Sequence, residues 1–176
     1  MSLTLIQLAQ QLGETLTSKG WKTIVAESCT GGGLGHVITE IAGSSAWFEG
    51  GFICYSNQAK QNMLEVSAET LTHYGAVSEA TAREMAQGAL THSAHSQISA
   101  ATTGIAGPGG ATAEKPVGMV CFAWAVQLPN QSIADTFHTI TDTQYFQGDR
   151  QQIRHLATIH ALQGLIKFAS SDLFSI

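Results

Sequence analysis

The sequence predicts an α/β protein, a three-layer α/β/α sandwich in which a mixed β-sheet lies between two layers of helices. Helical stretches alternate with short β-rich runs in the first hundred residues, an order typical of strands joined by helices. A near-continuous apolar run at residues 119–126 is typical of a strand buried on both faces. Another β-rich run follows it closely, which indicates a hairpin and therefore a sheet that is only partly parallel.

The first elements form a strand, a polar turn and a helix. Apolar residues recur at helical spacing over residues 4–19, and Gly20 ends this first helix. Residues 22–26 are rich in β-formers and are predicted to be a strand. The turn ESCTGGG leads into a helix over residues 30–41. Residues 43–51, which are rich in glycine and serine, are expected to be a loop.

The middle of the chain is predicted to contain a second strand followed by three helices. Ser56 or Asn57 is a good N-cap for the first of these helices, which carries Lys60, and Ser78 is a good N-cap for the longest. The predicted spans are residues 52–55 for the strand, 67–73 for the second helix and 79–92 for the third.

The last third of the chain supplies the remaining strands and one long helix. A third strand over residues 97–102 enters a loop rich in glycine and proline. The buried strand comes next, and a turn at residues 128–131 leads to a returning strand at 133–140. The final helix spans residues 149–168, with apolar side chains on one side.

Length and composition predict one domain over residues 1–176, large enough to bury a sizeable core. Charged residues make up only 12% of the chain, a low fraction that favours a homo-oligomer with part of its surface covered. The formal net charge is −5, and lysine and arginine form no cluster, which disfavours a nucleic-acid partner.

Cysteine usage and hydropathy indicate a cytoplasmic protein. The three cysteines form neither a disulfide framework nor a paired zinc motif. The first residues do not resemble a signal peptide, and no apolar run is long enough to cross a membrane. The seven histidines have no metal-ligand spacing, so we expect neither a metal nor another cofactor.

The first segment that could carry chemistry is AESCTGGG, residues 26–33. A serine that ends a strand and precedes a helix faces the crevice where open α/β sheets bind ligands. Free N–H groups at the helix start can hold an anion or an oxyanion, so Thr30, Gly31 and Gly32 are candidate binding residues beside Ser28. Alternatively, Ser28 or Thr30 is only an N-cap. Cys29 competes as nucleophile, because a thiol near a helix start has a lowered pKa, unless it is only a small, half-buried residue.

The second segment is YSNQAK, residues 55–60. Lys60 falls in the first helical turn, where the helix dipole disfavours a positive charge, and partial burial would favour the neutral amine further. A neutral lysine can act as the base for a serine. The alternative is an exposed surface lysine. Tyr55 ends the preceding strand, so its hydroxyl can share the same crevice.

The third segment is TGIAGPGGATAEKPVG, residues 103–118. A glycine-rich loop after a strand can hold an anion through its backbone N–H groups, although this one matches no standard phosphate motif. A plain surface loop is the alternative. The candidate residues for a substrate phosphate are Thr103, Gly104, Ala106 and Gly107. Arg150 in FQGDR is a further candidate, unless it only pairs with Asp149 or another acid at the helix start.

Taken together, five segments resemble the C-terminal domain of the competence/damage-inducible protein CinA. They are AESCTGG, IAGSSAWFEGGFICYSNQAK, GAVSEATAREMA, TGIAGPGGATAEKPVG and FQGDR, in this order over nearly the whole chain. The resemblance implies a three-layer α/β/α domain that hydrolyses nicotinamide mononucleotide to nicotinic acid mononucleotide and ammonia. It also implies a catalytic Ser28–Lys60 pair, with Tyr55 in the same network.

Two other functions are also compatible with the sequence. The domain could be a regulatory module that binds a nucleotide without turnover, using the same glycine loops. It could also be an interaction domain for a DNA-uptake or repair partner, against which the acidic balance argues. Longer family members carry an additional N-terminal domain resembling molybdopterin-binding proteins, so activities of that domain are not expected here.

Overall fold

The computed structural model describes residues 4–127 and 137–171, which form six α-helices and a five-stranded sheet. The helices are α1 (Leu5–Lys19), α2 (Gly33–Thr39), α3 (Asn57–Leu64), α4 (Ala68–Tyr74), α5 (Glu79–Thr91) and α6 (Arg150–Ala169). The strands are β1 (Thr23–Glu27), β2 (Phe48–Ile53), β3 (Ile98–Gly104), β4 (Met119–Val126) and β5 (His138–Tyr145). None of the described helices is long and apolar enough to span a bilayer.

The sheet is mixed, and its order is β2-β1-β3-β4-β5. Strands β2, β1 and β3 are parallel, whereas β4 pairs antiparallel with both β3 and β5. The chain moves from β1 to β2 on one side and then crosses to β3 on the other side. The carboxyl end of β1 therefore lies at a topological switch point, the usual ligand crevice of open α/β sheets.

Two hydrophobic cores lie on opposite faces of this sheet, which confirms the predicted three layers. Helices α1, α2 and α6 contact one another on one face, where the core includes Leu12, Phe122 and Trp124. Helix α5 covers the other face, with α3 and α4 packed against it, and the core there includes Met85 and Leu90. Strand β4 contributes to both cores, as its apolar sequence predicts.

Three predicted boundaries were wrong, each for a local physical reason. Strand β2 begins at Phe48 instead of residue 52. The prediction missed its first residues because glycines and alternating exposure made this edge strand look like a loop. Strand β5 extends to Tyr145 instead of ending at residue 140. Its last residues are polar and rich in threonine because the strand lies at a sheet edge, so they were not recognised as a strand. Helix α2 starts at Gly33, since Gly31 and Gly32 have positive φ angles. The predicted turn at 128–131 and the first part of the returning strand lie outside the described residues.

Candidate active site

Ser28 lies directly after β1, between the carboxyl ends of the two neighbouring parallel strands. Its backbone N–H donates to the carbonyl of Thr102 at 2.9 Å, and the Cys54 N–H donates to the carbonyl of Glu27 at 2.9 Å. These bonds continue the sheet register one step beyond the strand on each side. Ser28 is consequently buried and held by backbone contacts at the switch point.

Lys60 reaches Ser28 from the opposite wall of the crevice. The Ser56 hydroxyl caps helix α3 by accepting from the Ala59 N–H at 3.1 Å, as predicted for this N-cap. This places Lys60 at the end of the first turn with its side chain directed inward. Its Nζ lies 3.0 Å from Ser28 Oγ, and only 1% of the residue is exposed. The alternative of a solvent-exposed surface lysine is therefore wrong.

The surroundings of Lys60 favour a neutral amine. Burial lowers the pKa of its ammonium, and no described carboxylate forms an ion pair with it. Its Nζ donates to the carbonyls of Cys54 at 3.1 Å and Tyr55 at 3.2 Å. A neutral amine has two N–H bonds and one lone pair, so these carbonyls can take both hydrogens. The lone pair then remains for the Ser28 hydroxyl, the arrangement that a general base requires.

Cys29 does not have the environment of a nucleophile. The sequence suggested a lowered thiol pKa near the start of a helix, but burial raises the pKa of Cys29 to about 12. Burial also raises the pKa of the neighbouring Cys54 to about 11. Both thiols therefore remain protonated at neutral pH, which leaves Ser28 as the nucleophile candidate in this crevice.

A buried carboxylate that the sequence analysis did not single out occupies the start of α2. Glu27 Oε2 accepts from the N–H groups of Gly32 at 2.9 Å and Leu34 at 3.2 Å, and Glu27 Oε1 accepts from Gly35 at 2.9 Å. The chain's own carboxylate therefore satisfies the N–H groups that were expected to hold an external anion. A charged residue at the end of a buried strand, directly before a helix, was the signal available in the sequence.

The same hydrogen bonds occupy groups of Thr30, Gly31 and Gly32 that were expected to bind an anion. The Thr30 hydroxyl donates to Glu27 Oε2 at 2.7 Å and also contacts the Thr102 hydroxyl at 2.7 Å. The Gly31 N–H donates to the carbonyl of Ser28 at 3.1 Å. The two N–H groups that directly follow Ser28, those of Cys29 and Thr30, have no acceptor among the described residues.

Replacing Glu27 tests how much this network stabilises the fold. The two Glu27 oxygens together accept four hydrogen bonds, and Glu27→Gln replaces one of these oxygens with an amide N–H₂, so buried donors lose their partner. We expect the free energy of unfolding to fall by about 2–4 kcal/mol, since hydrogen bonds to a charged group are worth ~1.5–3 kcal/mol. Urea denaturation measures this, with Glu14→Gln on the exposed face of α1 as the control. A change below about 0.5 kcal/mol, typical of surface substitutions, would contradict the role of Glu27.

The glycine-rich loop after β3 is fastened to the sheet at its base. The Ile105 N–H donates to the Met119 carbonyl at 2.9 Å, and Gly104 is packed so closely there that a Cβ would lie 2.7 Å from the Met119 oxygen. The Thr103 hydroxyl, a predicted phosphate ligand, instead donates to the Ala76 carbonyl at 2.6 Å. Ala106 is buried, and Gly107 follows it with a positive φ of 75°. Of the four predicted phosphate residues, Ala106 and Gly107 therefore keep backbone N–H groups for which the described structure shows no acceptor.

Arg150 joins this loop to Tyr55. Its Nη1 donates to the Gly107 carbonyl at 2.7 Å and its Nη2 lies 3.4 Å from the Tyr55 hydroxyl. No described carboxylate forms an ion pair with Arg150, so the expected alternative pairing with Asp149 or another acid is not observed. Tyr55 is 64% exposed, and it contacts Lys60 through its carbonyl, while its hydroxyl faces Arg150. Arg150 and Tyr55 thus form an open polar wall beside the buried pair.

A second arginine was missed by the sequence analysis. Arg154 lies one helical turn after Arg150 on α6 and donates to the carbonyls of Cys29 at 3.2 Å and Thr30 at 2.9 Å. The i, i+4 spacing of the two arginines was the signal that could have identified it. Among the residues in the described ranges, no group of three or more His, Cys, Asp or Glu side chains is placed to hold a metal ion.

Comparison with known proteins identifies the family. A family profile described as the CinA C-terminal domain matches residues 5–169. The chain belongs to the CinA C-terminal domain family. This membership confirms the resemblance carried by the five sequence segments.

Individual relatives and solved structures match most of this chain. The chain is 48% identical over 161 residues to nicotinamide-nucleotide amidohydrolase PncC of Escherichia coli K12, covering 92% of each protein. It is 43% identical to the solved competence/damage inducible protein CihA of Agrobacterium tumefaciens, with a TM-score of 0.82 and coverage of 95% of this chain and 98% of that one. A CinA superfamily structure from Enterobacter cloacae is 32% identical, with a TM-score of 0.87 and coverage of 97% and 95%.

Proposed function

We propose that this chain is a nicotinamide-nucleotide amidohydrolase, which converts nicotinamide mononucleotide and water into nicotinic acid mononucleotide and ammonia. The observation that carries the proposal is the 3.0 Å contact between the Lys60 amine and the Ser28 hydroxyl. Both groups are buried, and the lysine pKa is lowered by burial. The identity of 48% to a protein named for this activity, over 92% of both chains, supports the choice of substrate.

The first half of the reaction acylates Ser28. Neutral Lys60 takes the hydroxyl proton while Oγ attacks the carboxamide carbon, and the carbonyl electrons move onto oxygen. The Cys29 and Thr30 N–H groups are the available donors for this oxyanion, because Glu27 occupies those of Gly32, Leu34 and Gly35. Protonated Lys60 then gives its proton to the amide nitrogen as the C–N bond breaks, and ammonia leaves.

The second half regenerates the enzyme. Lys60, neutral again, accepts a proton from water, and the resulting hydroxide attacks the acyl carbon. The ester bond to Ser28 breaks, and Ser28 Oγ recovers a proton from Lys60. The two anchoring carbonyls of Cys54 and Tyr55 keep Nζ in place in both protonation states, because the ammonium donates to the same oxygens. Lys60 can therefore serve as base and acid without a second titrating side chain.

The substrate phosphate is assigned to Arg150 together with the Ala106 and Gly107 N–H groups, for which the described chain offers no acceptor. Arg150→Ala should lower kcat/KM for the mononucleotide by roughly 10–100-fold, the loss of a hydrogen bond to a charged group. The riboside lacks the phosphate, so its kcat/KM should change by less than about threefold. Steady-state ammonia release with both substrates measures this difference. Equal losses for the two substrates would assign Arg150 to holding the loop and Tyr55.

One assay separates turnover from binding alone. Purified protein is incubated with excess nicotinamide mononucleotide, and ammonia and nicotinic acid mononucleotide are quantified. Many turnovers per chain, with equimolar products, support the amidohydrolase. The regulatory module remains the second candidate because the same loops could bind a nucleotide, and saturable binding without ammonia release would favour it.

We further propose a cytoplasmic location, a small-molecule partner and no nucleic-acid partner. The three described cysteines are free thiols, consistent with a reducing compartment. We also propose a homo-oligomer, because the edge strand β5 leaves Ile140 and Tyr145 exposed. Light scattering at several protein concentrations tests the oligomeric state.

A further inference from the structure

The turn that carries Ser28 is held from behind by one arginine. Arg154 projects from α6, which packs with α1 and α2 on the sheet face opposite to α3 and Lys60. Its Nε donates to the Cys29 carbonyl at 3.2 Å, and its Nη2 donates to the Thr30 carbonyl at 2.9 Å. A planar guanidinium carries its N–H donors in a rigid fork, so it fixes the orientation of two adjacent carbonyls more closely than a rotatable ammonium does.

This contact determines where one backbone N–H points. The peptide between Cys29 and Thr30 is planar, so its N–H points away from its carbonyl oxygen. Because the carbonyl accepts from Arg154, the Thr30 N–H points away from that arginine. Lys60, which contacts the Ser28 hydroxyl, also reaches the turn from an element other than α6. No acceptor for this N–H lies in the part of the chain that the structure describes. The adjoining Gly31 and Gly32 have positive φ angles and no side chains, so they do not restrict the backbone orientation of the turn.

We propose that Arg154 is a positioning residue for amide hydrolysis. It holds the Cys29–Thr30 peptide so that the Thr30 N–H donates to the oxyanion formed by attack of Ser28. This role rests on the proposed function. Helix α6 thereby helps to stabilise the transition state, although Arg154 contacts neither the nucleophile nor the base.

A solvent-connected cavity beside this arginine makes the proposal testable by chemical rescue. The cavity measures about 210 Å³ and is lined by residues that include Thr30, Gly33, Gln151, Arg154 and Thr158. Truncation of the arginine extends this space up to the two carbonyls. A free guanidinium ion, which has the same fork of donors, can then enter and occupy the vacated position.

The variant Arg154→Ala should lose roughly 10²–10³-fold in kcat, the effect of removing one oxyanion donor, while KM changes by less than about threefold. Guanidinium at millimolar, non-denaturing concentration should raise kcat of this variant by about tenfold or more. Arg154→Lys keeps the charge but replaces the fixed planar fork with a rotatable ammonium, so its kcat should lie between those of the wild type and Arg154→Ala. The matched control is Arg83→Ala, which removes an exposed arginine that also donates to a backbone carbonyl, at 3.4 Å from Thr139. The control should retain wild-type kcat with no response to guanidinium.

Crystal structures of Arg154→Ala and Arg154→Lys separate this proposal from the proposed function. If the wild-type protein releases no ammonia, the proposed function fails, whereas the structures still report the direction of the Cys29 carbonyl. A rotated or disordered Cys29–Thr30 peptide in Arg154→Ala supports the positioning role. An unchanged peptide, or a kcat within about threefold of wild type, overturns it. If Arg154→Ala does not fold, an Arg154→Lys enzyme with wild-type kcat overturns it equally.

Discussion

Ser28→Ala is expected to release ammonia from nicotinamide mononucleotide at least about 10⁴ times more slowly than the wild type. The substitution removes the atom that forms the acyl-enzyme, and the described crevice offers no substitute because the neighbouring thiols are protonated. Substrate binding should change little, since only one hydroxyl is lost. Single-turnover ammonia release and calorimetric titration measure the two quantities separately.

Cys29→Ala is the matched control for Ser28→Ala, because it removes one side-chain heavy atom from the next residue. Cys29 is buried in the core that contains α6, so the variant should lose some stability but retain most of kcat. Retention of more than about a tenth of the wild-type rate in Ser28→Ala, a barrier change of only ~1.4 kcal/mol, would refute the nucleophile assignment. An inactive Cys29→Ala beside an active Ser28→Ala would transfer the role to the thiol.

Lys60→Arg and Lys60→Met are both expected to reduce kcat by roughly 10²–10⁴-fold, the usual contribution of a general base. Arginine keeps the positive charge but stays protonated, so it cannot accept the Ser28 proton. Methionine keeps most of the length and removes the amine. Steady-state kinetics, with thermal melts to establish that each variant is folded, measure the effect. A folded Lys60→Arg enzyme with near-native kcat would exclude Lys60 as the base and direct attention to Tyr55.

The pH profile of the wild type gives an independent test of the same lysine. Because burial lowers the Lys60 pKa, the neutral form is populated at lower pH than for an ordinary lysine, whose pKa is about 10.4. The value of kcat/KM should therefore rise with pH through the lowered pKa and reach a plateau below the ordinary value. The described surroundings of Lys60 contain two carbonyls and no paired carboxylate, so this acid limb should follow one ionisation. A profile that rises only near the ordinary pKa would contradict a base prepared by burial.

The layers of the fold were accessible from sequence patterns, whereas the pairing of Ser28 with Lys60 was implied by the family resemblance. A serine ending a strand and a lysine after an N-cap are local signals, and parallel strands bring their carboxyl ends together. Strand β2 was misplaced because exposure alternates along it and Gly50 and Gly51 lower its β-propensity. Such an edge strand is stabilised by pairing with β1, which no local pattern reveals.

The supporting residues of the site were harder to predict, because their roles depend on contacts between distant segments. Glu27 is a charged residue in a strand, and only the packed structure shows that the N–H groups of α2 surround it. The hydroxyls of Thr30 and Thr103 looked available for ligands, but tertiary contacts with Glu27 and Ala76 occupy them. Arg154 resembles an ordinary surface arginine of a helix until its partners are known.

The bonds between α6 and the nucleophile turn also have a consequence for how activity arises during folding. Arg154 and its carbonyl partners at Cys29 and Thr30 are 125 and 124 positions apart in the chain. Contacts between such distant positions form slowly, because a long segment must first be brought together. A chain emerging from the ribosome contains Ser28 and Lys60 well before it contains α6. During refolding, recovery of ammonia release should therefore follow the docking of α6 and lag behind the circular-dichroism signal of the sheet and the earlier helices.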